Sequence, residues 1–238
     1  MGRAKLVVIL LSALVLGLAG TAQAYHLDMI YGLDANYAYA QAVHFTSPSE
    51  FSQDTKEDSQ AGVAHAHALQ VSAESQSWAR PPGGTDPVAQ INLNVNSQTV
   101  YYSYAYGYTD SFGEFTLVKD PGDTQNRALV TLKFTIKGAF NLGGDATSRL
   151  SYSLKVDGKE LYRDNVTYDA SGTRDNSYQA KLVLISGETH TFKLTLDGDL
   201  DHSSQTLDDA WYTANLEISD IQPAPPVSMS AILLLLTE

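Results

Sequence analysis

The chain has 238 residues, 43% of them hydrophobic, with no cysteine and a formal charge of −12 from 15 basic and 27 acidic side chains. The missing cysteine excludes disulfides, Cys-based zinc sites and thiol nucleophiles. The acidic balance argues against a nucleic-acid partner and against adsorption to anionic membranes, both of which need a basic footprint, and the apolar content argues against disorder of the whole chain.

Arg3 and Lys5 precede an apolar run from Leu6 to Leu18, and Thr21-Ala-Gln-Ala24 supplies a small-x-small cleavage pattern. Residues 1–24 therefore read as a signal peptide, and the protein is expected to be exported to the periplasm, the cell surface or the medium. An uncleaved anchor is the competing reading, but the run is short for a membrane span. Removing it leaves 13 basic against 27 acidic residues, a charge of −14. A cysteine-free exported chain does not depend on an oxidising compartment for its fold, which points to a bacterial source.

Asn36 to Phe45 alternates weakly and permits a strand, with a helix over 37–43 as competitor because Ala and Gln favour it. Ser47 to Ala61 is polar and reads as a loop. Val63 to Gln76 alternates again, and the Pro- and Gly-rich 78–87 interrupts regular structure. Ile91, Leu93 and Val95 mark a short strand. Thr99 to Thr109 is the clearest alternation of all. Tyr102, Tyr104, Tyr106 and Tyr108 share one face of a strand, and Ser103, Ala105, Gly107 and Thr109 share the other.

Phe112 to Val118 follows as a further strand, then a turn at Asp120-Pro-Gly-Asp123. Val130, Leu132, Phe134 and Ile136 are expected to face inward, with Thr131, Lys133, Thr135 and Lys137 outward. Asn141-Leu-Gly-Gly-Asp145 turns the chain, Leu150, Tyr152, Leu154 and Val156 repeat the pattern, and Asp157-Gly158 signals a type I′ hairpin. Tyr168 to Asn176 reads as a polar loop. Ala180, Leu182 and Leu184, then Phe192, Leu194 and Leu196, then Tyr212, Ala214, Leu216 and Ile218 complete the series, with an acidic loop before the last strand. Nine to eleven short strands without convincing helices predict an all-β fold, an antiparallel β-sandwich of jelly-roll type. A single domain over 25–222 is expected, its first part, 25–60, partly irregular. Residues 223–238 form a Pro-rich linker and a short apolar tail, too short for a stable transmembrane anchor.

Three residue groups are candidate sites. The tyrosine stripe offers rings about 6.7 Å apart along a strand, each with an apolar face and a hydroxyl suited to a glycan; the alternative is ordinary packing in a sheet face or interface. Asp197, Asp199, Asp201 and Asp208 stand at relative positions 1, 3, 5 and 12, the acid spacing of a calcium loop, although His202 replaces the glycine expected at position 6. A structural calcium ion is thus the candidate cofactor, and a solvated acidic turn the alternative. His65 and His67 share a strand face and, with His44 or His26, make a zinc or copper site conceivable against two ordinary strand histidines. No nucleophile elbow, phosphate loop or zinc-protease motif is present, and no carboxylate spacing identifies a glycosidase pair, so the protein is not expected to be an enzyme.

The leader, the strand Ser103-Tyr-Ala-Tyr-Gly107, the stretch Tyr108-Thr-Asp-Ser-Phe-Gly-Glu-Phe115 leading into the next strand, and Leu216-Glu-Ile-Ser-Asp-Ile221 followed by prolines and an apolar tail together resemble the PEP-CTERM group of exported bacterial proteins. Here Pro223-Ala-Pro-Pro226 stands in place of that group's Pro-Glu-Pro. The resemblance implies a Gram-negative bacterial protein of the cell envelope or exopolysaccharide matrix. The expected function is that of a non-enzymatic surface or matrix protein, with a carbohydrate-binding role on exopolysaccharide or surface glycan as the alternative.

Overall fold

The computed structural model describes residues 25–30, 37–47, 50–58, 63–68, 71–77, 89–96, 102–121, 125–202 and 207–224. Residues 1–24, expected as a signal peptide, and those beyond Ala224, expected as an apolar tail, lie outside them. The described residues form thirteen strands: β1 (Tyr25–Ile30), β2 (Tyr37–Ser47), β3 (Glu50–Asp58), β4 (Val63–Ala68), β5 (Val71–Ser77), β6 (Ala89–Asn96), β7 (Ser103–Lys119), β8 (Arg127–Asn141), β9 (Thr147–Val156), β10 (Lys159–Tyr168), β11 (Gly172–Ile185), β12 (Thr189–His202) and β13 (Leu207–Pro223). Among these residues no helix is long and apolar enough to cross a membrane.

The strands pair into two sheets. The first has the order β10-β9-β12-β7-β2-β3, with β1 also pairing β7; the second has the order β11-β8-β13-β6-β5-β4. Every pairing is antiparallel. From β6 to β13 the chain crosses between sheets at every step except β9 to β10. The resulting orders, β10-β9-β12-β7 facing β11-β8-β13-β6, are those of an eight-stranded jelly roll. Strands β2 and β3 widen one sheet, and β5 and β4 widen the other. The one hairpin inside the roll turns at Asp157 and Gly158, both with positive φ (50° and 73°), as a type I′ turn requires.

The core lies between the sheets and is filled by the period-two apolar residues of both. Phe115, Leu117, Leu150, Leu154, Leu194 and Leu196 from the first sheet meet Ile91, Leu132, Phe134, Ile136 and Tyr212 from the second, all buried. Each such side chain contributes about 1.5–3 kcal/mol by leaving water. Along the β10 and β11 side the gap is closed by polar groups. Arg174 donates to Tyr152 Oη (3.0 Å) and Asp164 Oδ2 (2.9 Å), while the Tyr152 ring packs edge-on to Phe134 at 5.8 Å.

The weak alternation over 36–45 forms the strand it permits, β2, and not the competing helix. Several other local expectations are corrected. Glu50–Asp58, expected as loop, is the edge strand β3. Val63 to Gln76 is not one strand but two, β4 and β5 paired as a hairpin. The further strand expected over 112–118 is continuous with the tyrosine strand, because β7 runs unbroken for 17 residues. The polar segment expected at 168–176 is mostly strand, since β11 begins at Gly172. The acidic segment from Asp197 belongs to β12 as far as His202.

Candidate functional site

Strand β7 lies between β2 and β12, and its alternation decides what each face of the first sheet carries. Ser103, Ala105, Gly107 and Thr109 point into the core. They are small because β6 of the opposite sheet passes close beneath them: a Cβ on Gly107 would lie 2.6 Å from Ile91 Cγ2. The four tyrosines therefore stand on the outer face. Tyr102 is 44% exposed, and Tyr104, Tyr106 and Tyr108 are half-buried among their neighbours.

The rings form an ordered row. Tyr102 and Tyr104 have centroids 6.4 Å apart with planes within 12°, and Tyr104 and Tyr106 are 6.2 Å apart within 8°. A second row from β2 stands against the first. Tyr39 meets Tyr106 at 5.8 Å and Tyr37 meets Tyr108 at 6.0 Å, both with planes at 63°. Phe45 closes the end beside Tyr102 at 5.9 Å. Cross-strand diagonals of this kind bring long aromatic side chains into contact.

On the other flank, β12 sets Asp197, Asp199 and Asp201 opposite Tyr108, Tyr106 and Tyr104. Tyr106 donates to Asp197 Oδ2 at 2.9 Å and Tyr102 donates to Asp201 Oδ1 at 2.5 Å. Asp199 forms an ion pair with Arg149 of β9 and accepts from the Arg149 backbone N–H at 3.2 Å. Asp110, further along β7, pairs with Lys193 at 2.7 Å and accepts from Thr195 Oγ1 at 2.8 Å. Burial raises the carboxyls of Asp197 and Asp199 above their ordinary value, against the hydrogen bond from Tyr106 in one case and the Arg149 charge in the other. Burial, then nearby carboxylates, pushes all four stripe phenols well above the usual tyrosine range. The row is thus held neutral, as hydrogen-bond donors, at any physiological pH.

Beside the aspartates the surface falls into a hollow of about 260 Å³. Ser151 and Ser153 of β9 and Thr195 of β12 line it with short hydroxyl side chains, and Asp197 borders it on the tyrosine side. Lys155, Glu160 and Arg163 border it on the far side. The arrangement is an aromatic row, a line of carboxylates and a hydroxyl-lined trough, side by side on one sheet.

The calcium-loop reading of Asp197, Asp199, Asp201 and Asp208 is corrected. The first three lie on a straight strand, where alternate residues sit about 6.7 Å apart and do not wrap an ion. Asp208, at the start of β13, is buried against the imidazole of His202 and accepts from the Gly143 backbone N–H. Among the described residues no group of three or more His, Asp or Glu is placed to hold a metal. His44 and His26 do not come together either. His44 faces the core and shares a hydrogen bond of 2.9 Å with Ser103 Oγ, whereas His26 pairs with Asp120 at the opposite end of β7. His65 and His67 occupy β4 opposite Glu74 and Ser72, and their side chains lie outside what the structure describes.

Sequence reasoning found the stripe but missed its surroundings. Tyr37 and Tyr39 were visible as weak alternation, and only the β2–β7 register joins them to the row. The trough had no sequence signal beyond the spacing of Ser151 and Ser153.

No family model matches the chain, and no curated protein matches it. Among solved structures it is similar, at low level, to the enzymatically active domain of bacteriophage CBA120 tailspike protein 4, with 9% identity and a TM-score of 0.22, covering 62% of this chain. The chain spans 18% of that tailspike chain. Broad bean stain virus gives 8% identity, TM-score 0.21 and coverage of 88% and 96% of the two chains; the infectious bursal disease virus VP2 subviral particle gives 12%, 0.14, 90% and 72%. Scores of this size carry no functional information, and the jelly-roll assignment rests on strand order.

Proposed function

We propose that this is a non-enzymatic, exported β-sandwich of the cell surface or extracellular matrix that binds exopolysaccharide or surface glycan on the outer face of its first sheet. The observation that carries the reading is that Tyr102, Tyr104, Tyr106 and Tyr108 stand outside the core, the first three of them with parallel rings. Aromatic rings with polar tips give a sugar an apolar face to cover and hydroxyls to bond. The flanking carboxylates and the serine-lined trough add acceptors and donors within reach of the same chain of sugars. The leader-like residues 1–24 support export.

Binding to a glycan array, followed by calorimetry on the strongest hit, tests the proposal. Tyr104→Ala with Tyr106→Ala should weaken binding about tenfold or more, as loss of a central aromatic contact does, measured at a temperature where circular dichroism shows the variant folded. Binding unchanged in that variant, or no binding to any glycan, would remove the support.

A further inference from the structure

The charges around the tyrosine row are not balanced, and the imbalance narrows the kind of glycan that fits; this step rests on the glycan-binding reading above. Two cations of the face are already engaged, Arg149 by Asp199 and Lys193 by Asp110. Asp197 and Asp201 receive hydrogen bonds from Tyr106 and Tyr102, but among the described residues neither lies within ion-pair distance of a cation. Arg163 borders the far side of the trough, 3.9 Å from Glu160. Lys155, also on that side, sits opposite Lys193, four positions along β12 from Asp197, or roughly 13 Å. The end of the face that carries the parallel rings therefore holds two carboxylates outside any ion pair: tyrosine hydroxyls bond both, and the charge of Arg149, itself paired with Asp199, also reaches Asp197.

A carboxylate beside apolar rings is partly shielded from water, so it attracts a cation more strongly than it would in bulk solvent. The same field repels a ligand's own carboxylate, and repulsion of that kind sets specificity as effectively as attraction. A ring-shaped ligand that lies on Tyr104 and Tyr106 brings its edge substituents toward Asp197 and Asp201. We infer that this face selects glycans bearing free amino groups, whose ammonium groups pair with Asp197 and Asp201, and discriminates against uronate-rich chains.

Calorimetry at low ionic strength with three probes tests the inference: a chitosan oligosaccharide at a pH where its amines are protonated, its fully N-acetylated counterpart, and an alginate oligosaccharide. The amino oligomer should bind about tenfold or more tightly than the acetylated one, and the alginate should bind weakest. The gap should shrink with added salt, which screens charge. It should also collapse in Asp197→Asn with Asp201→Asn, which keeps the oxygens that accept from Tyr106 and Tyr102, while binding of the acetylated oligomer persists. A control removing two remote charges, Asp169→Asn with Asp220→Asn, should keep the gap, which separates a local pairing from attraction to an acidic protein. If the double variant is unstable, Asp201→Asn alone should give a partial collapse. Equal affinity for amino and acetylated probes, tighter binding of alginate, or a gap that survives the double variant overturns the charge selection and leaves the glycan reading standing. Binding to none of the three, and to no other glycan, overturns both.

Discussion

Gly107 is where the tyrosine row and the core depend on one another most directly. A methyl group there would sit 2.6 Å from Ile91 Cγ2 and 3.4 Å from Ile91 Cγ1, and Ile91 is wholly buried. Gly107→Ala must therefore push the sheets apart or force Ile91 off its rotamer, an overpacking cost of about 1–3 kcal/mol. Replacing a strand glycine by alanine returns about 0.5–1 kcal/mol of backbone entropy. The net expectation is destabilisation by about 1–2 kcal/mol. Ile91→Ala alone should cost about 2–5 kcal/mol through lost transfer energy and a cavity. In that background both clashing atoms are gone, so Gly107→Ala keeps only its entropic benefit and becomes stabilising by about 0.5–1 kcal/mol. The coupling between the two sites is then about 2 kcal/mol, well above the few tenths expected of independent positions. Urea unfolding of the four proteins, with unchanged m-values, measures it. Additive effects, or a neutral Gly107→Ala in the wild-type background, would refute the claim that small residues on β7 exist to admit Ile91.

The raised phenols of Tyr102, Tyr104, Tyr106 and Tyr108 mean that the folded protein keeps protons the unfolded chain releases near pH 10. Their contribution to stability is present below pH 10 and is lost as the pH rises past it; tyrosinate absorbance of native protein should lag that of urea-unfolded protein, and four stripe tyrosines titrating normally in the native state would contradict this. Burial lowers the imidazole of His44 from its ordinary 6.5, so the unfolded chain binds the extra proton first and stability should fall as the pH drops through 6.5 towards the folded value. His44→Gln should flatten that part of the melting temperature profile, and an unchanged slope would count against it. Millimolar calcium, or a chelator, should leave the melting temperature where it is, because Asp199 is already paired with Arg149 and Asp208 with His202. A site at hundredfold ligand excess would add about 2.7 kcal/mol, so a rise that vanishes in Asp199→Asn with Asp201→Asn would be plain to see and would revive an ion.

Period-two alternation is legible wherever a strand has one face in the core and one in water. Leu132 to Ile136, Leu150 to Val156 and Phe192 to Leu196 announce themselves for that reason. The edge strands do not. Glu50–Asp58 and the first half of Gly172–Ile185 cover little of the core, so polar side chains suffice on both faces and the segments read as loop. The aspartate spacing misleads for a different reason. Acids at positions 1, 3 and 5 suit a calcium loop, but they equally mark one face of a strand; the residues between them, Gly198 and Leu200, are buried and continue the inward series of Leu194 and Leu196. Nothing local announces that β12 lies beside β7, and that pairing alone turns a tyrosine strand and an acidic strand into one surface.

The place of β13 in the second sheet has a kinetic consequence. It is the last of the described strands, yet it lies between β8 and β6, with Leu207 paired to Asn96 on one side and Asp209 to Asn141 on the other. Until residues 207–223 are available, β6 and the two strands beyond it have no hydrogen-bonded path to β8. Pairings this distant in sequence close slowly, on millisecond to second timescales or longer in all-β proteins. A nascent chain is therefore left without a closed second sheet until residues 207–223 have been made, and the sandwich of described strands becomes attainable only with β13. If the protein is exported, as proposed above, such late commitment favours passage across a membrane in an extended state.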